Sequence, residues 1–248
     1  MLFRSHSVIL QSGDDFSYSR QQLQKLVAKI RKEYPSLAIT LSLGERPFED
    51  YRAFRDSGAD RYLLKIETTN PRLYKMLHPG QSLRKRFRLL DQLRSLGYQV
   101  GTGSIIGLPL QSMEDIADDL LFLSAFKPEM CAMGPFIPQS QTPFAHNRSG
   151  DASHTLKAIA VSRILLPHAL IPATTALASI DQENGLLNGI RAGANVIMTN
   201  FTPLAYRKDY RIYDHKKAVI LSHALQAIKQ AHAVASLSRG DALHFAMK

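Results

Sequence analysis

The chain has 248 residues, of which 45% are hydrophobic, so it can bury the core of one large domain. Its net charge of +10 is spread over several segments without an accompanying nucleic-acid motif, which favours a solvated basic surface over nucleic-acid binding. No apolar run approaches the ~20 residues of a membrane span and the start does not resemble a secretory signal, so we expect a cytoplasmic protein that does not enter the membrane.

Short apolar runs alternate with amphipathic stretches along the chain. Periodicity and turn residues predict seven strands, over residues 7–11, 38–42, 61–65, 99–106, 130–136, 169–173 and 194–199. Helices are predicted over residues 23–34, 48–55, 71–77, 82–96, 112–126 and 155–166, then between 174 and 193, and finally over 215–232. Ser112 and Asp115 predict a capping box at the start of one of these helices.

Strict alternation of strands and helices predicts parallel strands joined by right-handed crossovers. Seven such units indicate an α/β fold of the (β/α)8 TIM-barrel type that is incomplete by one β/α unit. A doubly wound open sheet is the structural alternative, but no glycine-rich dinucleotide motif follows any predicted strand. We assign residues 1–213 to the barrel and residues 214–248 to a carboxyl-terminal helical tail.

Polar side chains follow nearly every predicted strand. In a βα barrel these positions share the face formed by the carboxyl ends of the strands, where ligands bind. Turn and cap chemistry explains any one of them, but the ring as a whole favours a ligand pocket. The polar members of the ring are Gln11, Ser12, Asp14, Asp15, Ser42, Glu45, Glu67, Thr68, Thr69, Thr174, Thr175, Thr199 and Asn200.

Two charged residues stand out at this face. Glu67 follows the third strand and Arg86 lies near the start of a following helix. A carboxylate can bind an ammonium group, whereas a guanidinium can clamp a carboxylate. Individually, Glu67 could instead cap a helix and Arg86 could be solvated at the surface. Together they suit a zwitterion such as an amino-acid moiety.

Seven segments resemble one known family in family order. The chain is similar to the radical SAM family of the [FeFe]-hydrogenase maturase HydE, whose relatives include biotin synthase and methylornithine synthase. The segments are residues 10–15, 41–45, 58–64, 77–80, 134–138, 171–176 and 193–198.

The resemblance implies a binding site for S-adenosylmethionine (SAM). The positions that match the SAM pocket are Thr40, Ser42, Glu67 and Arg86. The positions that match the inner substrate cavity are Gln11, Ser12, Thr174, Thr175, Met198, Tyr210 and Tyr213. The sequence departs from the family at Lys65, Ile66, Leu110, residues 139–141 and Thr199, which puts the substrate in doubt more than the radical SAM fold.

The resemblance also implies a [4Fe–4S] cluster held by a Cys-x-x-x-Cys-x-x-Cys motif. This sequence has one cysteine, Cys131, which we interpret as a small core hydrophobe, so we expect no metal ligands in the chain. In the family the motif precedes the strand that begins here at Ser7, so we expect an amino-terminally truncated copy. No catalytic residue is assigned.

The activity implied by the resemblance is reductive cleavage of SAM during maturation of the [FeFe]-hydrogenase H-cluster. Its implied partners are a small-molecule substrate and the other hydrogenase maturases, and this chain alone is expected to be inactive. The alternatives are a fragment of a biotin synthase-like or methylornithine synthase-like enzyme and a non-catalytic barrel that binds SAM or an amino acid. A complete barrel enzyme with other chemistry is a weaker hypothesis, because no glycine-rich phosphate loop follows the last strands.

Overall fold

The computed structural model describes residues 6–210, 212–214, 216, 218–236 and 238–242, with side chains described for all of these except 208–210. All seven predicted strands are present in this part of the chain, and the fourth and fifth are each divided in two. The strands are β1 (Ser7–Gln11), β2 (Ala38–Ser42), β3 (Arg61–Leu63), β4 (Gln99–Thr102), β5 (Ile105–Ile106), β6 (Met130–Cys131), β7 (Gly134–Pro135), β8 (Pro172–Ala173) and β9 (Val196–Ile197).

The strands pair in parallel in every ladder formed by the described residues. One sheet has the order β1-β2-β3-β4-β6, while β5 pairs with β7 and β8 pairs with β9. A parallel bridge between Met130 and Leu170 links the large sheet to the segment before β8. This arrangement confirms the α/β fold with parallel strands that the alternation predicts, as a partial barrel.

Gly103 separates β4 from β5 because the backbone of the neighbouring strand comes unusually close. It has a φ of +155°, and a Cβ added there would lie 2.0 Å from the carbonyl oxygen of Ala132. Only a residue without a side chain fits this approach. The predicted strands 99–106 and 130–136 are therefore interrupted at neighbouring positions.

The helices cover the outer side of these strands. They are α1 (Arg20–Glu33), α2 (Phe48–Asp56), α3 (Pro71–Leu77), α4 (Leu83–Ser95), α5 (Met113–Phe126), α6 (Ala152–Leu165), α7 (Thr175–Ile180), α8 (Gly185–Arg191) and α9 (Leu221–Gln230), with a 3-10 helix at Leu204–Tyr210. None of the helices described is long and apolar enough to cross a membrane.

Hydrogen bonds at the helix starts explain several boundaries. Ser112 accepts from the amide of Asp115 while the Asp115 carboxylate accepts from the amide of Ser112, which confirms the predicted capping box. Ser82 caps α4 through the amide of Lys85. The predicted helix between 174 and 193 is wrong in detail, because a turn stabilised by Asp181 divides it into α7 and α8.

The main core lies between the sheet and the helices. Ile39, Leu41 and Tyr62 of the strands pack with Tyr51 and Phe54 of α2 and are fully buried. A second cluster packs β6 to β8 against α5, α6 and α7, and Cys131 is buried within it, as expected for a small core residue. Alternate residues of the strands therefore face the opposite, inner side of the barrel.

A short segment, residues 238–242, contacts residues at the beginnings of β3 and β4. Arg61 donates to Ser7 Oγ at 3.0 Å, to the carbonyl oxygen of Gly240 at 2.7 Å and to Asp241 Oδ1 at 2.8 Å. Gln99 donates to the same carboxylate oxygen at 2.7 Å.

The division into a barrel over residues 1–213 and a carboxyl-terminal tail over 214–248 stays a prediction.

Candidate functional site

The inner ends of β1 and β2 carry the first group of predicted site residues. Thr40 and Ser42 alternate with Ile39 and Leu41, which pack on the helices, so their side chains face the inner side. Gln11 ends β1 directly beside Ser42 and is exposed. The loop after β1 begins alongside β2, because the amide of Ser12 donates to the carbonyl oxygen of Ser42 at 3.1 Å.

Thr40 is a buried polar residue with an unused hydroxyl group. The residue is 1% exposed, and within the described structure its Oγ1 has no hydrogen-bond partner. A buried hydroxyl without a partner costs free energy, so such groups often mark a place where a ligand completes the bonding. The position is one of those matched to the SAM pocket.

Glu67 sits in a left-handed backbone conformation at the carboxyl end of the third strand. Its φ is +63°, which is uncommon for a residue with a side chain. Its amide donates to the carbonyl oxygen of Gly103 at 3.1 Å, and its carbonyl oxygen accepts from the amide of Ile105 at 2.8 Å. Its carboxylate forms an ion pair with Lys65 at 2.9 Å. The gap between β4 and β5 therefore holds the backbone of Glu67.

Arg86 is buried and engaged by the chain itself. Its Nε donates to Glu45 Oε1 at 2.9 Å and to the Tyr74 hydroxyl at 3.1 Å. Its two other nitrogens donate to the carbonyl oxygen of Lys65 at 3.0 Å and to Gln81 Oε1 at 2.8 Å. Burial disfavours the charge, but Tyr74 and Glu45 outweigh it and raise the pKa of Arg86 above its usual value.

Glu67 and Arg86 therefore belong to the same face but have different counterions. Glu67 pairs with Lys65, while Arg86 pairs with Glu45, which also binds Lys85 at 2.8 Å. Arg86 donates to the carbonyl oxygen of Lys65, so it also stabilises the strand end that carries the pair of Lys65 and Glu67. The sequence placed Glu45 in the same ring of polar groups but did not indicate that it pairs with Arg86.

The loops after β1 and β2 are tied together by Asp14. Its Oδ1 accepts from the amide of Glu45 at 2.7 Å, and its Oδ2 accepts from Gln81 at 2.9 Å. Gly44 must be glycine here, since an added Cβ would lie 1.8 Å from Asp14 Oδ1. A connected network thus runs from Asp14 through Gln81 to Arg86.

His78 borders the same network. Its ring lies 4.9 Å from that of Tyr74, measured between centroids. Burial, followed by the positive charge of Arg86, lowers the pKa of His78 below its usual value. A neutral imidazole has one donor and one acceptor nitrogen, so His78 is chemically suited to contact a ligand. The sequence marked it only as part of the segment 77–80.

A second group of predicted residues lies around β8 and α7. Thr174 caps α7 through the amide of Leu177, and Thr175 Oγ1 lies 3.0 Å from the Tyr213 hydroxyl. Burial raises the pKa of Tyr213. Met198 follows β9 and is half-buried. The structure thus brings Thr175 and Tyr213 together, while the side chain of Tyr210 lies outside the described residues.

The single thiol is placed for packing. Burial raises the pKa of Cys131 to about 11, and Ser162 of α6 lies beside it, on the helix side of the sheet. Over the described residues, no group of three or more His, Cys, Asp or Glu side chains is arranged to hold a metal ion. The residues present therefore do not fit an iron–sulfur cluster.

Comparison with known proteins identifies the family. The radical SAM superfamily profile matches residues 2–123. Over 217 residues the chain is 46% identical to the [FeFe] hydrogenase maturase subunit HydE of Thermotoga maritima, a match that covers 88% of the chain and 62% of that protein. The chain carries a radical SAM domain.

Other radical SAM proteins are similar over most of the chain. It is 29% identical to 3-methylornithine synthase of Methanosarcina acetivorans over 194 residues, covering 77% of the chain and 54% of that protein. The crystal structure of methylornithine synthase (PylB) matches with a TM-score of 0.78 at 27% identity, over 93% of this chain and 68% of that one. The chain thus spans 54% to 62% of the length of these two curated relatives.

Proposed function

We propose that this chain is the SAM-binding part of a HydE-like radical SAM enzyme that acts in maturation of the [FeFe]-hydrogenase. The proposal is supported most strongly by the 46% identity to HydE over 88% of the chain. Glu67, held at the carboxyl end of its strand beside Lys65, supplies the acidic group suited to a ligand ammonium.

The inner face offers further groups that fit SAM. The unpartnered hydroxyl of Thr40 and the half-buried Ser42 suit the hydroxyl groups of the nucleoside. Glu45, Tyr74 and Gln81 occupy the guanidinium of Arg86, so Arg86 supports this site without contacting the ligand. We therefore assign Thr40, Ser42 and Glu67 to direct contact and Arg86 to support.

Gln11, Ser12, Thr174, Thr175, Met198, Tyr210 and Tyr213 are proposed to line the substrate cavity. The contact between Thr175 and Tyr213 supports this assignment for one side of the cavity. The substrate is proposed to be a small molecule, and the other hydrogenase maturases are the proposed protein partners.

Members of this superfamily use SAM together with a [4Fe–4S] cluster. The one buried thiol of this chain does not fit such a cluster, so no step of the reaction is assigned to these residues. We propose that the 248-residue chain binds SAM without cleaving it.

Calorimetric titration with SAM at pH 7.5 tests the binding. We expect saturable heat for the wild-type chain, a loss of at least tenfold in affinity for Glu67→Ala, and unchanged affinity for the exposed control Glu183→Ala. Equal affinity of wild type and Glu67→Ala, or no heat from either, would contradict the proposal. Formation of 5′-deoxyadenosine after anaerobic reconstitution with iron and sulfide would contradict the absence of cleavage.

A methylornithine synthase-like enzyme is the second candidate. It is favoured by the TM-score of 0.78 to that structure, although the identity of 27% is well below the 46% to HydE. The two candidates differ in the substrate cavity and share the SAM site. Titration with 3-methylornithine, the compound for which 3-methylornithine synthase is named, separates them, because only the second candidate predicts that it binds in the presence of SAM.

A further inference from the structure

Two carboxylates of α5 hold the loop that follows Glu67. Asp119 Oδ1 accepts from the amide of Thr69 at 2.5 Å, from the Thr69 hydroxyl at 2.7 Å and from the Thr68 hydroxyl at 3.4 Å. One turn earlier on the helix, Asp115 Oδ1 accepts from the side chain of Asn70 at 2.6 Å. Residues four apart share a helix face, so both carboxylates meet the same loop.

These bonds complete the restraint on Glu67. A left-handed conformation costs a residue with a side chain free energy, so it persists only where the surroundings impose it. Gly103 and Ile105 fix the amide and the carbonyl oxygen of Glu67 on the strand side. On the loop side, Asp119 fixes the two residues that come directly after Glu67.

Burying the charged carboxylate of Asp119 costs free energy. Asp119 is 0% exposed, and burial raises its pKa to about 6. The groups that face it from neighbouring elements are the uncharged Thr68, Thr69 and Ser104. Asp115, one turn earlier on the same helix face, is bonded to Asn70, and Glu67, next to the bonded loop, is paired with Lys65. Asparagine could accept the same hydrogen bonds without a buried charge, but more weakly.

We propose that Asp119 is a positioning residue, whose ionised carboxylate holds the turn at residues 67–69 and thereby directs Glu67 toward the ligand. Only the identity of the ligand, SAM, rests on the proposed function. The positioning itself is a property of the chain alone.

The first test follows the backbone amide NMR signals of Glu67, Thr68 and Thr69 between pH 5 and pH 8. In the wild-type chain we expect these signals to shift together with a midpoint near the pKa of Asp119, about 6. Asp119→Asn should abolish that transition, and Asp118→Asn, which alters an exposed neighbour on the same helix, should preserve it. A transition retained in Asp119→Asn, or absent from the wild type, would overturn the proposal.

The second test measures SAM affinity and the unfolding midpoint of the same variants at pH 7.5. Asp119→Asn should weaken SAM binding by roughly tenfold, since charge-assisted hydrogen bonds are about twice as strong as neutral ones. Its unfolding midpoint should be equal to or above that of the wild type. A lower midpoint together with unchanged affinity would indicate a purely structural role. If the wild type does not bind SAM, the proposed function fails, and the NMR titration still decides the role of Asp119.

Discussion

Arg86 and Glu45 form an ion pair of 2.9 Å in which both side chains are buried, at 5% and 7% exposure. The pair joins the loop after β2 to α4, and through Lys65 it reaches the strand end that carries Glu67. Removing one partner of a buried pair leaves an uncompensated charge, whereas a surface pair contributes little. The two partners of Glu45 differ in this respect, because Lys85 is 53% exposed.

Arg86→Ala is therefore expected to lower the free energy of unfolding by about 3–5 kcal/mol, because it leaves Glu45 buried without its main partner. Lys85→Ala removes the exposed partner of the same carboxylate and should cost less than about 1 kcal/mol. Urea denaturation of both variants measures the difference. Similar losses of unfolding free energy in the two variants would show that the buried partner of Glu45 contributes no more than the exposed one.

Asp119 is expected to make stability depend on pH. Its pKa rises from 3.8 in the unfolded chain to about 6 in the folded one, so its contribution to stability is fully present below about 3.8 and is lost as the pH rises through 6. The shift corresponds to about 3 kcal/mol. The free energy of unfolding of Asp119→Asn should thus exceed that of the wild type by up to this amount at pH 7.5 and by little at pH 4. Chemical denaturation at several pH values measures both proteins, and a difference between them that does not change with pH would refute this.

Thr40→Val replaces a buried hydroxyl that has no partner by a methyl group of similar size. We expect the free energy of unfolding to be unchanged or to rise by about 1 kcal/mol, while SAM affinity falls. Thr102→Val is the matched control, because the Thr102 hydroxyl accepts from the amide of Ile66 at 3.1 Å. The free energy of unfolding of that control should fall by about 1–3 kcal/mol, because the buried amide of Ile66 loses its acceptor. A destabilised Thr40→Val would indicate that its hydroxyl is bonded in the folded protein.

Gly103→Ala should lower the free energy of unfolding by at least about 3 kcal/mol, because its Cβ meets the backbone of Ala132. Gly80→Ala tests the effect of φ alone: φ is +83° and no atom lies within 4 Å of the added Cβ, so the expected cost is about 1–2 kcal/mol. Thermal unfolding of both variants gives the comparison. Equal losses would mean that φ, and not the close contact, requires glycine at 103.

Local sequence features predicted the elements well. Alternation gave the seven strand positions, and the pair Ser112 and Asp115 gave a helix start, because both signals act over a few neighbouring residues. The interruption at Gly103 was missed, since it depends on the approach of Ala132, which lies 29 positions away in the chain.

The sequence named candidate site residues but not the contacts among them. Glu67 and Arg86 were recognised as charges at strand and helix ends, but the counterion of Arg86, Glu45, is decided by tertiary packing. The left-handed φ of Glu67 carries no sequence signal, because glycine is the residue that usually marks such a conformation. The sequence carried no signal for Asp119, and only the fold shows which loop it meets.

The contact between Arg61 and Asp241 joins residues 180 positions apart. Bringing such distant residues together carries a large loop-closure entropy, and contacts of this kind slow folding. We expect the strands to assemble first and residues 238–242 to dock in a later kinetic phase. Refolding of Asp241→Asn should then keep the fast phase of the wild type and change the slow one.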